Sequence, residues 1–133
     1  MSKSLKWLWL MLLCGVMGGA CSGHVTPEEL ASLAAKGYYE HLMKGEYANF
    51  LEGKYDSENL PDNYEEQLLT AYKQFMALQE KEHRGIKEVR ISNAKTDTVQ
   101  KYTNVFLVLC YGDSTNEEVV VPMVENEGQW RMK

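Results

Sequence analysis

The sequence predicts an α+β domain, with N-terminal helices packed on a curved antiparallel sheet of three to four strands. Three observations predict it. Apolar residues recur at helical spacing from Leu30 to Leu42, and again from Leu68 to Leu78. After Gly85 the pattern changes to alternation and short apolar runs broken by turn residues. Helices come first and strands follow, an order that belongs to the α+β class.

Thr26-Pro27-Glu28-Glu29 opens the first helix. Thr suits the N-cap, Pro the first helical position, and Glu29 the third position of a capping box. Leu30, Leu33, Ala34, Gly37, Tyr38, His41 and Leu42 are expected to share its buried face. Lys44 and Gly45 supply a terminal cation and a stop. Glu46 to Leu51 reads as a short second helix that turns Tyr47, Phe50 and Leu51 inward. The polar stretch from Glu52 to Asn63, with Gly53 and Pro61, reads as a loop. Asp62 or Asn63 is expected to cap a long third helix that ends near Arg84. This helix, with Leu68, Leu69, Tyr72, Phe75, Met76 and Leu78, is expected to cover the sheet.

Lys87 to Ala94 alternates, with Val89 and Ile91 on one side, and Lys95-Thr96-Asp97 reads as a turn. Tyr102 to Tyr111 is the most hydrophobic stretch after the N-terminus. Gly112 to Asn116 turns, Glu117 to Glu125 forms a Val-rich strand, and Asn126-Glu127-Gly128 turns into a last strand through Trp130 and Met132. Short connections of this kind join the strands into an antiparallel meander. Pro122 lacks an N–H and is expected at an edge or bulge.

The first twenty residues differ in character. Lys3 and Lys6 precede an almost wholly apolar run from Trp7 to Met17, and Gly18-Gly19-Ala20 leads into Cys21. A basic start, an apolar stretch and small residues before a cut describe a secretory signal peptide. The run is shorter than the ~20 residues of a spanning helix. Gly19-Ala20-Cys21 resembles a lipobox, the processing signal of bacterial lipoproteins, with Gly18 where that signal usually has Leu. The resemblance implies a signal peptide over 1–20, a lipid including palmitate on Cys21 and a tether over 21–25, ahead of the single α+β domain over 26–133 that the patterning predicts. It also implies a lipid-anchored membrane protein of the bacterial cell envelope. Ser22-Gly23-His24 carries no acidic run of the kind that resembles a surface-export signal, so the periplasmic side is expected. A plain secretory signal and a retained N-terminal anchor are the alternatives.

The formal charge of the chain is −5. Removing residues 1–20 takes away two lysines and no acid, which leaves −7. An acidic domain repels phosphate backbones, so nucleic acid is not an expected partner. The lipid, not a basic patch, would hold the domain on the membrane. Cys14 leaves with the signal and Cys21 is acylated, so Cys110 has no partner for an intrachain disulfide. The fold must rest on its hydrophobic core, with Cys110 expected inside it.

Three stretches carry a further resemblance. They are the helix end Tyr38-Tyr39-Glu40-His41-Leu42-Met43-Lys44-Gly45-Glu46-Tyr47, the strand Val105 to Tyr111, and the ending Val119 to Val124 followed by Gly128-Gln129-Trp130-Arg131-Met132. In this order they resemble small bacterial lipoproteins of unknown function with a nuclear-transport-factor-2-like, or cystatin-like, fold. The resemblance implies a cone-shaped domain and brings no catalytic signature with it.

Phosphate loops, His-Glu-x-x-His and Cys-x-x-Cys are missing from the sequence. His24, His41 and His83 lie on separate segments, so no metal site and no cofactor is expected. His41 stands out, because helical spacing sets it on the apolar face with no acid beside it. It is expected to be held by structure near the helix end. Tyr38, His41, Tyr47, Tyr72 and Trp130 are the candidate pocket lining, and no residue is assigned a catalytic role. The function expected is a non-enzymatic binding module for an envelope protein partner or a small ligand. The alternative is a cavity enzyme of the isomerase or cyclase type found on this fold, which needs a carboxylate or His beside an oxyanion donor.

Overall fold

A computed structural model describes residues 25–133. The signal segment, Cys21 and His24 lie outside the described residues. Helix α1 (Pro27–Met43) begins where Thr26 Oγ1 accepts the Glu29 N–H at 3.1 Å, with Pro27 and two acids in the first turn. It ends in a Schellman closure. Gly45, at φ 78°, donates to the Leu42 carbonyl at 3.2 Å, and the Glu46 N–H reaches the His41 carbonyl at 2.9 Å. Helix α2 (Tyr47–Glu52) follows, and a 3₁₀ turn over Ser57–Asn59 breaks the loop after it. Helix α3 (Asp62–His83) has Pro61 at its cap position and no side-chain cap. The expected cap residues Asp62 and Asn63 therefore fall inside the first turn, where the Asp62 carboxylate meets the positive end of the helix dipole. None of the helices among the described residues is long and apolar enough to cross a membrane.

Strands β1 (Ile86–Asp97), β2 (Tyr102–Tyr111), β3 (Asn116–Asn126) and β4 (Gln129–Met132) form an antiparallel meander in the order β1-β2-β3-β4. The expected turn at Lys95–Asp97 is instead the end of β1. The chain turns over residues 98–101, because Asp97 Oδ1 accepts the N–H groups of Val99 and Gln100 at 2.9 and 3.0 Å. Strand β4 gains a second neighbour in the loop after α2. The Met132 N–H donates to Gly53 O at 2.7 Å, and the Tyr55 N–H donates to Met132 O at 2.6 Å.

Strand β2 alternates without a break. Thr103, Val105, Leu107, Leu109 and Tyr111 are buried, and the residues between them are half-buried on the opposite face. Leu107 and Leu109 thus face the helices together, as a period of two requires. Cys110, expected inside, lies on the half-buried outer face for the same reason.

Two expectations about the helices are corrected. The sheet is covered by α1, which touches all four strands, and not by the longer α3, which meets the sheet at β1 and, through His83, at the end of β2. The buried stripe of α1 is also not the expected one. Ala31, Ser32, Ala35 and Leu42 are buried, whereas Leu30 and Leu33 are 45% and 62% exposed. The helix is turned by about one residue, or roughly 100°. Alanine at the contact lets the helix axis come close to the strands, and leucine there would hold it off. Helix α3 instead flanks α2, with Tyr72 set edge-on against Phe50 at 4.9 Å and Tyr39 against Phe50 at 5.3 Å. Its Phe75 and Leu78 remain exposed.

The C-terminus of α3 is tied to the β2–β3 turn. His83 Nδ1 lies 2.9 Å from Asp113 Oδ2, and the His83 ring stacks on Tyr111 at 4.4 Å. The Asp113 N–H donates to His83 O at 3.0 Å. Hydrogen bonds from Thr115 and then His83 lower the Asp113 carboxyl to about 2. A carboxyl depressed on folding stabilises the native state above its unfolded value and loses that contribution as pH falls through the folded one. The domain is therefore expected to lose stability between about pH 4 and pH 2 in part through Asp113. Asp113→Asn should flatten this acid limb when urea midpoints are compared across that window. An acid limb as steep as that of the unsubstituted chain would refute the assignment.

Candidate functional site

The C-terminal half of α1 lies over β4, and here two of the expected pocket residues meet. The Tyr38 hydroxyl donates to the Trp130 carbonyl at 2.6 Å, across 92 residues of sequence. Gly53 makes this possible. A Cβ on Gly53 would stand 2.5 Å from the Tyr38 ring, so the ring lies directly on the backbone there. One helical turn further, His41 Nδ1 lies 2.6 Å from Glu46 Oε1. Tyr38 and His41 line an open cleft of about 380 Å³ with Asn49, Glu52, Gln129 and Arg131. Arg131 donates to Glu52 O and, at 2.6 Å, to Gln129 Oε1, which closes one wall.

His41 departs from its expected setting. Its side chain is 40% exposed, and it pairs with an acid, Glu46, that is 45% exposed. The rotation of α1 moves His41 to the rim, and the Gly45 closure folds Glu46 back onto it. The hydrogen bond from His41 holds the Glu46 carboxyl below the usual carboxylate range. The pair faces solvent, and the Tyr38 hydroxyl beside it is already committed to a carbonyl. The side-chain N–H groups that share the cleft are those of Asn49, Gln129 and Arg131, and Arg131 is committed to Glu52 O and Gln129 Oε1.

The other expected lining residues go elsewhere. Tyr47 packs half-buried against the core. Tyr72 belongs to the Tyr39–Phe50–Tyr72 cluster, where its hydroxyl is buried without a partner and burial raises its pKa. Trp130 does not line the first cleft and meets Tyr38 there through its carbonyl. Trp130 lines a second cleft, at the other end of α1.

That second cleft, of about 410 Å³, is bounded by the start of α1, the β1–β2 turn and the ends of β3 and β4. Thr96 donates its hydroxyl hydrogen to the Glu28 carboxylate, and Thr103 Oγ1 lies 3.0 Å from Thr96 Oγ1. Thr96 has one hydroxyl hydrogen, and Glu28 can only accept, so the hydrogen in the second bond comes from Thr103. The Thr96 bond lowers the Glu28 carboxyl. Lys101, Asp97 and Glu125 stand at the rim. Sequence reasoning missed this group. It used Glu28 as a helix-start acid and placed Thr96 in a turn. The available signal was Thr103, a hydroxyl at an inward position of the most apolar strand. Among the described residues, no three His, Cys, Asp or Glu side chains converge as a metal ion would require.

No family model and no curated protein matches the chain. Among solved structures, a Campylobacter jejuni protein described as an NTF2-like transpeptidase is similar. Its TM-score is 0.61 at 15% identity, over 81% of this chain and 97% of that one. At this identity the likeness speaks for the fold and not for the chemistry. It agrees with the helices-on-meander architecture and with the resemblance in the sequence, and the chain has the NTF2-like fold.

Proposed function

We propose that the chain is a lipid-anchored lipoprotein of the bacterial envelope, facing the periplasm, whose domain binds a protein partner or a small ligand without catalysing a reaction. The observation that carries the binding reading is the state of the one His on α1. His41 pairs with an exposed Glu46, and the neighbouring Tyr38 hydroxyl is spent on the Trp130 carbonyl. A transpeptidase, as the Campylobacter jejuni protein is described, transfers an acyl group through a nucleophile set beside a base. Cys110 lies on the outer face of the sheet, away from α1 and His41. The clefts at the two ends of α1 are instead open and rimmed by polar groups, which suits recognition.

The anchoring reading rests on Gly19-Ala20-Cys21 and on the short stretch between Cys21 and the start of α1 at Pro27. Cys21→Ser should abolish incorporation of radiolabelled palmitate and release the protein from the membrane fraction, because only a thiol forms the thioether to the lipid. Equal labelling of both chains would sink the proposal. Binding is tested separately. Equilibrium titration of purified protein with envelope extracts, read by the Trp130 NMR signal, should show saturable shifts that survive His41→Gln. Turnover of a small molecule abolished by His41→Gln would favour the cavity enzyme instead.

A further inference from the structure

Strand β1 has a neighbour on one side only. Its 12 residues span about 40 Å. The backbone groups on its free side form a template for another strand. Its two faces are set by β2. Glu88, Arg90, Asn93 and Lys95 lie opposite Cys110, Val108, Phe106 and Asn104, on the face turned away from α1. Val89, Ile91 and Ala94 lie opposite Leu109, Leu107 and Val105, on the α1 face.

We propose that this edge pairs with the same edge of a second copy of the chain. The two β1 strands run antiparallel about a two-fold axis between Ile91 and Ser92, and the two four-stranded sheets become one. The inference stands on the edge alone and is independent of the lipid anchor.

The residues select the register. About this axis Glu88 faces Lys95 of the second copy, and Lys95 faces its Glu88. Val89 faces Ala94, and Arg90 faces Asn93. Each pair lies on a single face, charge with opposite charge outside and apolar with apolar inside. A one-residue slip turns the two strands' side chains to opposite faces. A two-residue slip in one direction sets Glu88 against Asp97 and Arg90 against Lys95, which are like charges and unfavourable. The same slip in the other direction leaves neither Glu88 nor Lys95 an ionic partner. The irregularity of β1 between Ile91 and Asn93 falls at the axis, where it interrupts none of the matched pairs.

The surroundings fit a second copy. Leu33 and Ile91, both exposed, line an apolar groove of about 380 Å³ with Ala94 beside this stretch, and a paired strand would cover it. Glu88 is 58% exposed and among the described residues meets only Arg90, at 3.2 Å. Lys95 is exposed and has no ion-pair partner among the described residues.

The test is sedimentation velocity of the full chain in detergent over a concentration series. The chain should show a concentration-dependent dimer. Glu88→Lys and Lys95→Glu should each raise the dimer Kd roughly tenfold or more, since each removes two ion pairs and sets like charges in their place. The double swap should return to within about threefold of the original chain. If Glu88→Lys loses its fold by circular dichroism, Lys95→Glu and the double swap carry the test. A chain monomeric at every concentration overturns the proposal. So does a dimer that both single changes leave intact, or one abolished by Val120→Lys on the outer sheet face. Binding of an extended peptide to β1 of a strictly monomeric chain would assign the edge to another protein and overturn it as well.

Discussion

Leu107→Ala lowers the unfolding free energy by about 2–5 kcal/mol, and Leu109→Ala by a similar amount. Both side chains are at most 1% exposed. They sit on the central inward row of β2, with β1 and β3 on either side and α1 above. The residues that α1 buries in the same core include Ala31 and Ala35, which have no side chain able to swing into a void. A cavity made there stays open, and the cost approaches the transfer energy plus the full cavity contribution. Urea denaturation of the purified protein, with an unchanged m-value, measures it. Val120→Ala on the exposed face should stay within about 0.5 kcal/mol and serves as the control. A loss below about 1 kcal/mol for both leucines would mean that α1 closes onto the sheet, contrary to the packing described.

Gly53→Ala is the second large effect, expected at about 1–3 kcal/mol. Gly53 has an ordinary φ of −73°, so alanine adds no backbone strain. The whole cost comes from the Tyr38 ring, which must leave the space that the new methyl takes. Moving the ring breaks the hydroxyl bond to Trp130 and loosens β4 against α1. The signature is non-additivity. In a Tyr38→Ala background the same glycine change should cost far less, because the clash has gone. Equal costs in the two backgrounds would show that Gly53 matters for some reason other than Tyr38.

The elements of the fold could be read from the sequence because each leaves a local mark. Thr26-Pro27 starts α1, Gly45 stops it, and the even alternation of β2 gives both its length and its inward row. What could not be read depends on distance. Whether α1 buries Leu30 and Leu33 or Ala31 and Ala35 is decided by how close the helix can approach the sheet, and a helical wheel contains no sheet. The assignment of the cover to α3 failed for the same reason. Length and apolar content favoured it, but small residues decide close packing. His41 followed the rotation of its helix to the rim. Its acid, Glu46, lies past the helix end, where periodicity no longer describes the chain. Tyr47 and Tyr72 are aromatic residues that ordinary packing claimed. The Glu28–Thr96–Thr103 chain joins residues 68 and 7 positions apart, and only the closed structure brings them together.

The bonds from Tyr38 to Trp130 and from Gly53 to Met132 set the order in which a newly made chain can become native. Helix α1 leaves the ribosome well before β4, its partner across 92 residues at the Tyr38–Trp130 bond. Local helices can form on the way, but the core cannot shut until Gln129–Met132 has emerged, and closing so long a loop is paid for only at that moment. Until then the polypeptide remains loose and threadable. A domain with this topology becomes rigid only after β4 is free to dock against α1.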